Sequence, residues 1–329
     1  MLTPTNAEII AIAPELILAV TAGLLLVIDA FLPGLRRYLS GLTMLSIAGA
    51  IWARLSLDLP GEVWAGMLKI DQLTSFVDTY ILIAAFFVAW IAGPFMGRNN
   101  AGCGEFYALI LFATVGSMVM ACSVNLLTVF LGLELLSIPL YALNAFFRRN
   151  EVSVEAGLKY FLVGAFASAF VAYGMALLYG ASASTNLIEI SRQVIEIGSL
   201  NPLTAVGFAM VAGGLGFKLA LVPCHAWAPD VYQGSPTPVT AFLSVVPKGA
   251  ALIVLLRMVE GMDLLHVSAK WLVAASVVAI ASQTLGNIVA IVQRDIKRML
   301  AYSGIAHMGD ALVAVIVGGA DGGAAVLVY

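Results

Sequence analysis

The 329-residue chain is 61% hydrophobic and only 11% charged, with 16 Lys and Arg against 19 Asp and Glu for a net charge of −3. Soluble domains carry about 45–50% apolar and about 25% charged residues, so charge is too sparse here to clothe a water-facing surface. The mean hydropathy of +1.01 says the same. The chain reads as a polytopic membrane protein, and its net charge is too small to imply nucleic acid or any strongly charged partner. The first 35 residues hold no Lys or Arg, so the opening apolar stretch lacks the basic start of a secretory signal and is a retained span. Cys103, Cys122 and Cys224 have no metal-ligand spacing and cannot all pair. They read as small buried hydrophobes, which argues against disulfides, zinc, haem and iron–sulfur centres on this chain.

A spanning helix needs about 20 apolar residues. Ten such stretches follow in chain order: Ile9–Leu32, Leu39–Leu57, Leu73–Phe95, Phe106–Ser123, Asn125–Phe147, Gly157–Gly180, Leu203–Val222, Val239–Val259, Val267–Val292 and Met299–Val317. Spanning strands would be about half as long and would alternate in polarity, so the fold class is all-α, a transmembrane helix bundle. An eleventh stretch opens near Ala324 and stops at Tyr329, and the chain is therefore expected to be the N-terminal part of a longer protein. With the N-terminus outside, the inner loops hold eight Lys or Arg (Arg36, Arg37, Arg98, Arg148, Arg149, Arg294, Lys297, Arg298) and the outer ones five (Arg54, Lys69, Arg192, Arg257, Lys270). That bias predicts an outer N-terminus. Two connections, Glu62–Asp71 and Asn186–Ile197, mix polar and apolar residues. The second, with Leu187, Ile188, Ile190, Val194, Ile195 and Ile197, is expected to lie as an amphipathic helix on the membrane surface.

The informative residues are ionisable ones inside the apolar stretches, where a charge costs about 2.5–3.5 kcal/mol on insertion scales. Glu134 lies mid-span in VFLGLELLSIPLYALNAFF, five residues before Pro139, which removes a backbone donor. Lys218 follows the glycine-rich run GGLGFKLALVP and precedes Pro223, the pattern of a broken transmembrane helix. Lys248 follows Pro247 at a depth too great for easy snorkelling. The ordinary alternatives are an acid satisfied by a neighbour and lysines reaching the interface. Glu155 and Lys159 are spaced for a helical i,i+4 pair, although Lys159 could instead join the internal charges. In PCHAWAPDVYQGSPTP, Asp230 is expected to cap local backbone, and His225 and Trp227 to sit at the interface. His307, inside the tenth span, is either a proton carrier or a cross-helix hydrogen-bonding group. One glutamate and two lysines at depth look like a relay rather than a substrate cage.

At these residues a resemblance emerges. The run GFKLALVPCHAWAPDVYQGSPTPVTAFLSVVPKGAA resembles the antiporter-like membrane subunits of proton-translocating NADH–quinone oxidoreductase, respiratory complex I. LELLSIPLYAL resembles the subunit N branch of that family, and GLKYFLVGAFASAF, RDIKRMLAYSGIAHMG and the opening APELIL extend the likeness over nearly the whole chain. Cys224, Gly304 and Asp310 depart from the family's usual aromatic, serine and tyrosine.

The resemblance implies two inverted five-helix repeats, each with a broken helix. The chain would then divide into three N-terminal helices (1–104), a first repeat (105–260) and the start of a second (261–329). It also implies that Glu134, Lys218 and Lys248 form a proton relay; Lys159 matches no family position firmly, and Lys159 and His307 are further candidates on the reading of the residues alone. No cofactor is expected on this chain. The implied whole complex uses NADH, FMN, iron–sulfur clusters and quinone, and the implied partners are the other antiporter-like and small membrane subunits within a bacterial inner membrane. Lysine's reference pKa is about 10.4; burial lowers such a value and an approaching carboxylate raises it. A moving or titrating Glu134 would thus switch Lys218 between holding and releasing a proton, and Lys248 would be the next carrier. Two alternatives stay open: a subunit of a multi-subunit monovalent cation/proton antiporter, or a membrane scaffold whose charges lock helices together.

Overall fold

The structure, a computed structural model, describes residues 5–57, 61–98, 104–197, 201–261 and 269–328; Cys103 and the expected start of the ninth span at Val267 lie outside them. Its helices are α1 (Asn6–Ala11), α2 (Ala13–Phe31), α3 (Leu39–Ser56), α4 (Gln72–Arg98), α5 (Gly104–Cys122), α6 (Leu126–Asn144), α7 (Glu151–Ser182), α8 (Leu187–Ile197), α9 (Pro202–Leu219), α10 (Trp227–Gly234), α11 (Thr237–Gly261), α12 (Ala269–Ile291), α13 (Ile296–Val317) and α14 (Gly319–Val328). Ten of them are long and apolar enough to cross a membrane, one for each expected stretch. The fold class is all-α, as the composition demanded.

The backbone forms two compact units. The first comprises Met1–Ser123, Leu131–Gly157 and Ser235–Ala250. Within it α1 starts with a capping box in which the Thr5 side chain accepts from the Glu8 N–H and Glu8 reaches back to the Thr5 N–H. Hydrogen bonds from the Thr5 backbone, its hydroxyl and the Trp64 N–H hold the Glu8 carboxyl below the usual carboxylate range. Trp64 belongs to the connection Glu62–Asp71, which is an antiparallel hairpin of β1 (Gly61–Val63) and β2 (Leu68–Ile70), paired Gly61 with Ile70 and Val63 with Leu68. Positive φ at Trp64, Ala65 and Gly66 makes its turn. Ala11, Val63 and Ile70 pack together beneath the hairpin with Trp64 and Leu68. Farther along, a Cβ on Gly116 would fall 2.3 Å from the Leu136 nitrogen, so α5 and α6 approach backbone to backbone.

Arg54 corrects the loop tally. It is 2% exposed inside α3 rather than in an outer loop. Its Nη2 lies 2.5 Å from Glu15 Oε1 of α2 and 2.8 Å from Asp78 Oδ2 of α4. A lone arginine near a span end reads as a loop residue because its two carboxylate partners are distant in sequence.

The second unit comprises Val124–Phe130, Leu158–Gly234 and Ala251–Tyr329. Here α7 and α9 cross at a pair of glycines: a Cβ on Gly174 would meet the Gly207 carbonyl at 2.7 Å, and one on Gly207 the Gly174 carbonyl at 2.9 Å. Asn201 caps α9 by accepting from the Leu203 and Thr204 N–H groups. The expected amphipathic helix is α8; it buries Leu187, Ile190 and Val194 in its own unit and leaves Ile188, Ile195 and Ile197 outward.

Candidate functional site

The span around Lys218 is broken, as its glycines and proline predicted. α9 stops at Leu219, and Ala220 takes left-handed geometry (φ 56°, ψ 36°), which turns its N–H and that of Leu221 back to the Gly216 and Phe217 carbonyls. The chain then turns through a cis Val222–Pro223 peptide and resumes as α10 at Trp227. Backbone groups freed at such a break must find partners inside protein. Trp227 Nε1 donates to the Phe217 carbonyl at 2.9 Å, and the Val222 N–H donates to Ser282 Oγ of α12 at 3.0 Å. Trp227 is therefore turned into the protein, where it closes the break. It is buried, with its ring 4.9 Å from that of Tyr160 and 5.2 Å from that of Phe217.

Lys218 sits on the last turn of α9, 3% exposed. Its Nζ donates to the Tyr160 hydroxyl at 3.2 Å and lies 5.0 Å from the centre of the Tyr160 ring and 5.7 Å from that of Phe217. An ammonium taken out of water is thus met by a phenol oxygen and aromatic faces. Tyr160 and Trp227 escape sequence reasoning, since an aromatic in an apolar run looks like packing.

Lys159 precedes Tyr160 on α7 but turns outward. Its Nζ pairs with Asp230 Oδ2 at 2.7 Å, and Arg298 Nη1 of α13 pairs with Asp230 Oδ1 at 2.6 Å and with Gln233 Oε1 at 3.1 Å. Asp230, expected to cap local backbone, instead ties α10 to α7 and α13 through two cations. The three side chains are 28% to 42% exposed. His307, on α13, is more than half exposed, with Nδ1 3.8 Å from Asp310 Oδ2, and Asp310 also accepts from Gln283 Nε2 at 2.7 Å. His225 is half-buried within the break, its Nδ1 without a hydrogen-bond partner among the described residues. Cys122 is buried and Cys224 half-buried, both as free thiols.

In the first unit, Glu134 is half-buried in α6, and its Oε1 is enclosed with no hydrogen-bond partner among the described residues. The helix runs unbroken through Pro139. Lys248 follows Pro247 midway along α11 and is 4% exposed. Both deep lysines are thus inside protein, and neither snorkels.

The fold and these residues define a class: a polytopic helical membrane protein with ionisable side chains buried in its spans and a lysine at a helix break. The chain belongs to the NADH:quinone oxidoreductase/Mrp antiporter transmembrane family, whose signature matches residues 123–329. It is 40% identical to NADH-quinone oxidoreductase subunit N of Trichlorobacter lovleyi over 97% of this chain and 66% of that one. It is also 40% identical to subunit N 2 of Symbiobacterium thermophilum, over 98% of this chain and 68% of that protein. Among solved structures it is similar to a chain of respiratory complex I from Thermus thermophilus with bound aureothin, at a TM-score of 0.76 and 36% identity, covering 93% of this chain and 65% of that one. The chain spans about two thirds of the length of these relatives.

Proposed function

We propose that this chain acts as the subunit N type of proton-translocating membrane subunit of a bacterial NADH–quinone oxidoreductase. The observation that carries the reading is Lys218: a buried ammonium at a helix break, with every freed backbone group named above closed by a side chain or turn. Such a site keeps a charged group in a span without exposing it to lipid, and a group that must gain and lose a proton needs that shelter. Glu134 acts as the charge that biases Lys218, Lys218 as the carrier and Lys248 as the next one, with Lys159 and His307 as further candidates. NADH, FMN, iron–sulfur clusters and quinone serve other subunits, and this chain's partners are the antiporter-like and small membrane subunits. Its segments 1–104, 105–260 and 261–329 correspond to an N-terminal helix set, one complete repeat and the start of another. Its N-terminus faces the outside of the bacterial inner membrane.

A half-buried glutamate and a buried lysine are each an expensive choice inside a span, because well-packed apolar residues often hold helices as stably. A charge that changes during turnover explains them better. In the complete complex, Glu134→Gln and Lys218→Ala are each expected to lower NADH-driven proton pumping in inverted vesicles, normalised to assembled complex. Lys248→Arg is expected to be as harsh, since arginine does not release its proton. Full pumping in both Glu134→Gln and Lys218→Ala would leave the scaffold reading. The family description also names an antiporter, and proton movement driven by a sodium gradient with no NADH would favour that assignment.

A further inference from the structure

Three backbone donors follow the end of α9 before Pro223, which has none. The chain closes two of them by itself: the Ala220 N–H turns back to the Phe217 carbonyl at 3.0 Å and the Leu221 N–H to the Gly216 carbonyl at 2.9 Å. The third, the Val222 N–H, is closed from another helix. It donates to Ser282 Oγ of α12 at 3.0 Å, across 60 residues of sequence.

Ser282 is 0% exposed. Its own proton goes to the Val278 carbonyl, one turn back, at 2.7 Å, so its oxygen is left to accept from Val222. The residues that α12 buries are Ala275, Ala279, Ser282 and Gly286, all small and spaced to share one side of a helix. Close packing alone asks for a small residue, which alanine supplies at the neighbouring positions. The Val222 N–H asks for an oxygen, and Ser282 is the one member of the four that has a side-chain acceptor. About three helical turns earlier, the Trp271 ring of α12 stands edge-on to Phe208 of α9, with 4.6 Å between centres. Two contacts in the same chain order hold α12 alongside α9 and its break.

Lys218 lies within the stretch these bonds fix, between Gly216, whose carbonyl accepts from Leu221, and Val222, which α12 holds. Its Nζ meets the Tyr160 hydroxyl at 3.2 Å, a contact that depends on where this turn sits. Without Ser282 Oγ the Val222 N–H would be a buried donor with no acceptor, which favours opening of the break to water.

We propose, resting on the reading of Lys218 as proton carrier, that Ser282 is a positioning residue for that lysine: through the Val222 N–H it holds the break closed and fixes the turn that carries Lys218. Ser282 acts through backbone and carries no proton across the membrane itself.

The test uses the complete complex in its native membrane and has two readouts. Cys224, a half-buried thiol within the break, reports opening through its rate of alkylation by N-ethylmaleimide, followed by mass spectrometry of its peptide. NADH-driven pumping, normalised to assembled complex, reports the carrier. Ser282→Ala is expected to speed Cys224 alkylation by roughly fivefold or more, the consequence of leaving a buried donor unpaired, and to lower pumping. Ser282→Thr keeps the hydroxyl and is expected to stay closer to wild type in both. Unchanged alkylation in Ser282→Ala, faster alkylation with full pumping, or equal losses in the alanine and threonine variants would each overturn the proposal. Full pumping in Lys218→Ala would instead defeat the carrier reading, and Cys224 alkylation would still show whether Ser282 holds the break.

Discussion

Tyr160 and Trp227 decide the surroundings of Lys218, and each can be tested alone. Tyr160→Phe keeps the ring beneath the ammonium and removes the hydroxyl that accepts from it. Hydrogen bonds to charged groups are worth about 1.5–3 kcal/mol against about 1 for neutral ones, so the charged form of Lys218 loses more than the neutral form. The expected outcome is normal assembly with proton pumping per assembled complex lowered. Unchanged pumping would show that the phenol only fills space. At this scale the sequence was half legible. Lys218 announced itself because a lysine is costly in lipid. Tyr160 did not, because tyrosine is common in spans and its partner lies 58 residues away in the chain. Glu15, Arg54 and Asp78 were passed over for a related reason: each lies near a span end, where one charge taken alone is unremarkable.

Among the elements, the crossing of α7 and α9 sets where the broken span begins. Gly207→Val places a branched side chain where even a Cβ would sit 2.9 Å from the Gly174 carbonyl and 3.0 Å from the Leu178 nitrogen. Overpacking of this kind costs about 1–3 kcal/mol, more when backbone must move. A lowered unfolding temperature and less folded protein are expected. Gly213 lies on the same helix, and a Cβ added there would meet nothing within 4 Å, so Gly213→Ala is expected to be neutral or to stabilise by up to about 1 kcal/mol. Equal losses in the two variants would mean that helix propensity, not the close approach, governs both glycines. The break in the span was legible from its glycines and Pro223. Its closure by Trp227 and Ser282 was not, since a freed backbone group specifies only that some donor or acceptor must reach it.

For the whole molecule, orientation is the open prediction. Moving Arg54 out of the outer loops strengthens the bias of Lys and Arg toward the inner side. In a chain with Cys103, Cys122 and Cys224 replaced by alanine, a single cysteine at Lys69, on the hairpin, is expected to react with a membrane-impermeant maleimide on intact cells. One at the exposed Arg149, between α6 and α7, is expected to react only after lysis. The reversed pattern would place the N-terminus inside.

Composition and hydropathy alone determined that the chain lives in lipid, that it is helical, and where its ten spans run, because a bilayer tolerates only segments that satisfy their own backbone and each apolar stretch records one of them. Local pattern also determined the helix break, since glycine and proline act on the backbone within a few residues. Partnership was decided only by the tertiary structure. Whether a buried charge meets a phenol, a carboxylate or an indole depends on segments far apart in the chain. Thus Asp230 became a bridge between Lys159 and Arg298, Trp227 became the closure of the break, and Arg54 became the centre of a buried triad.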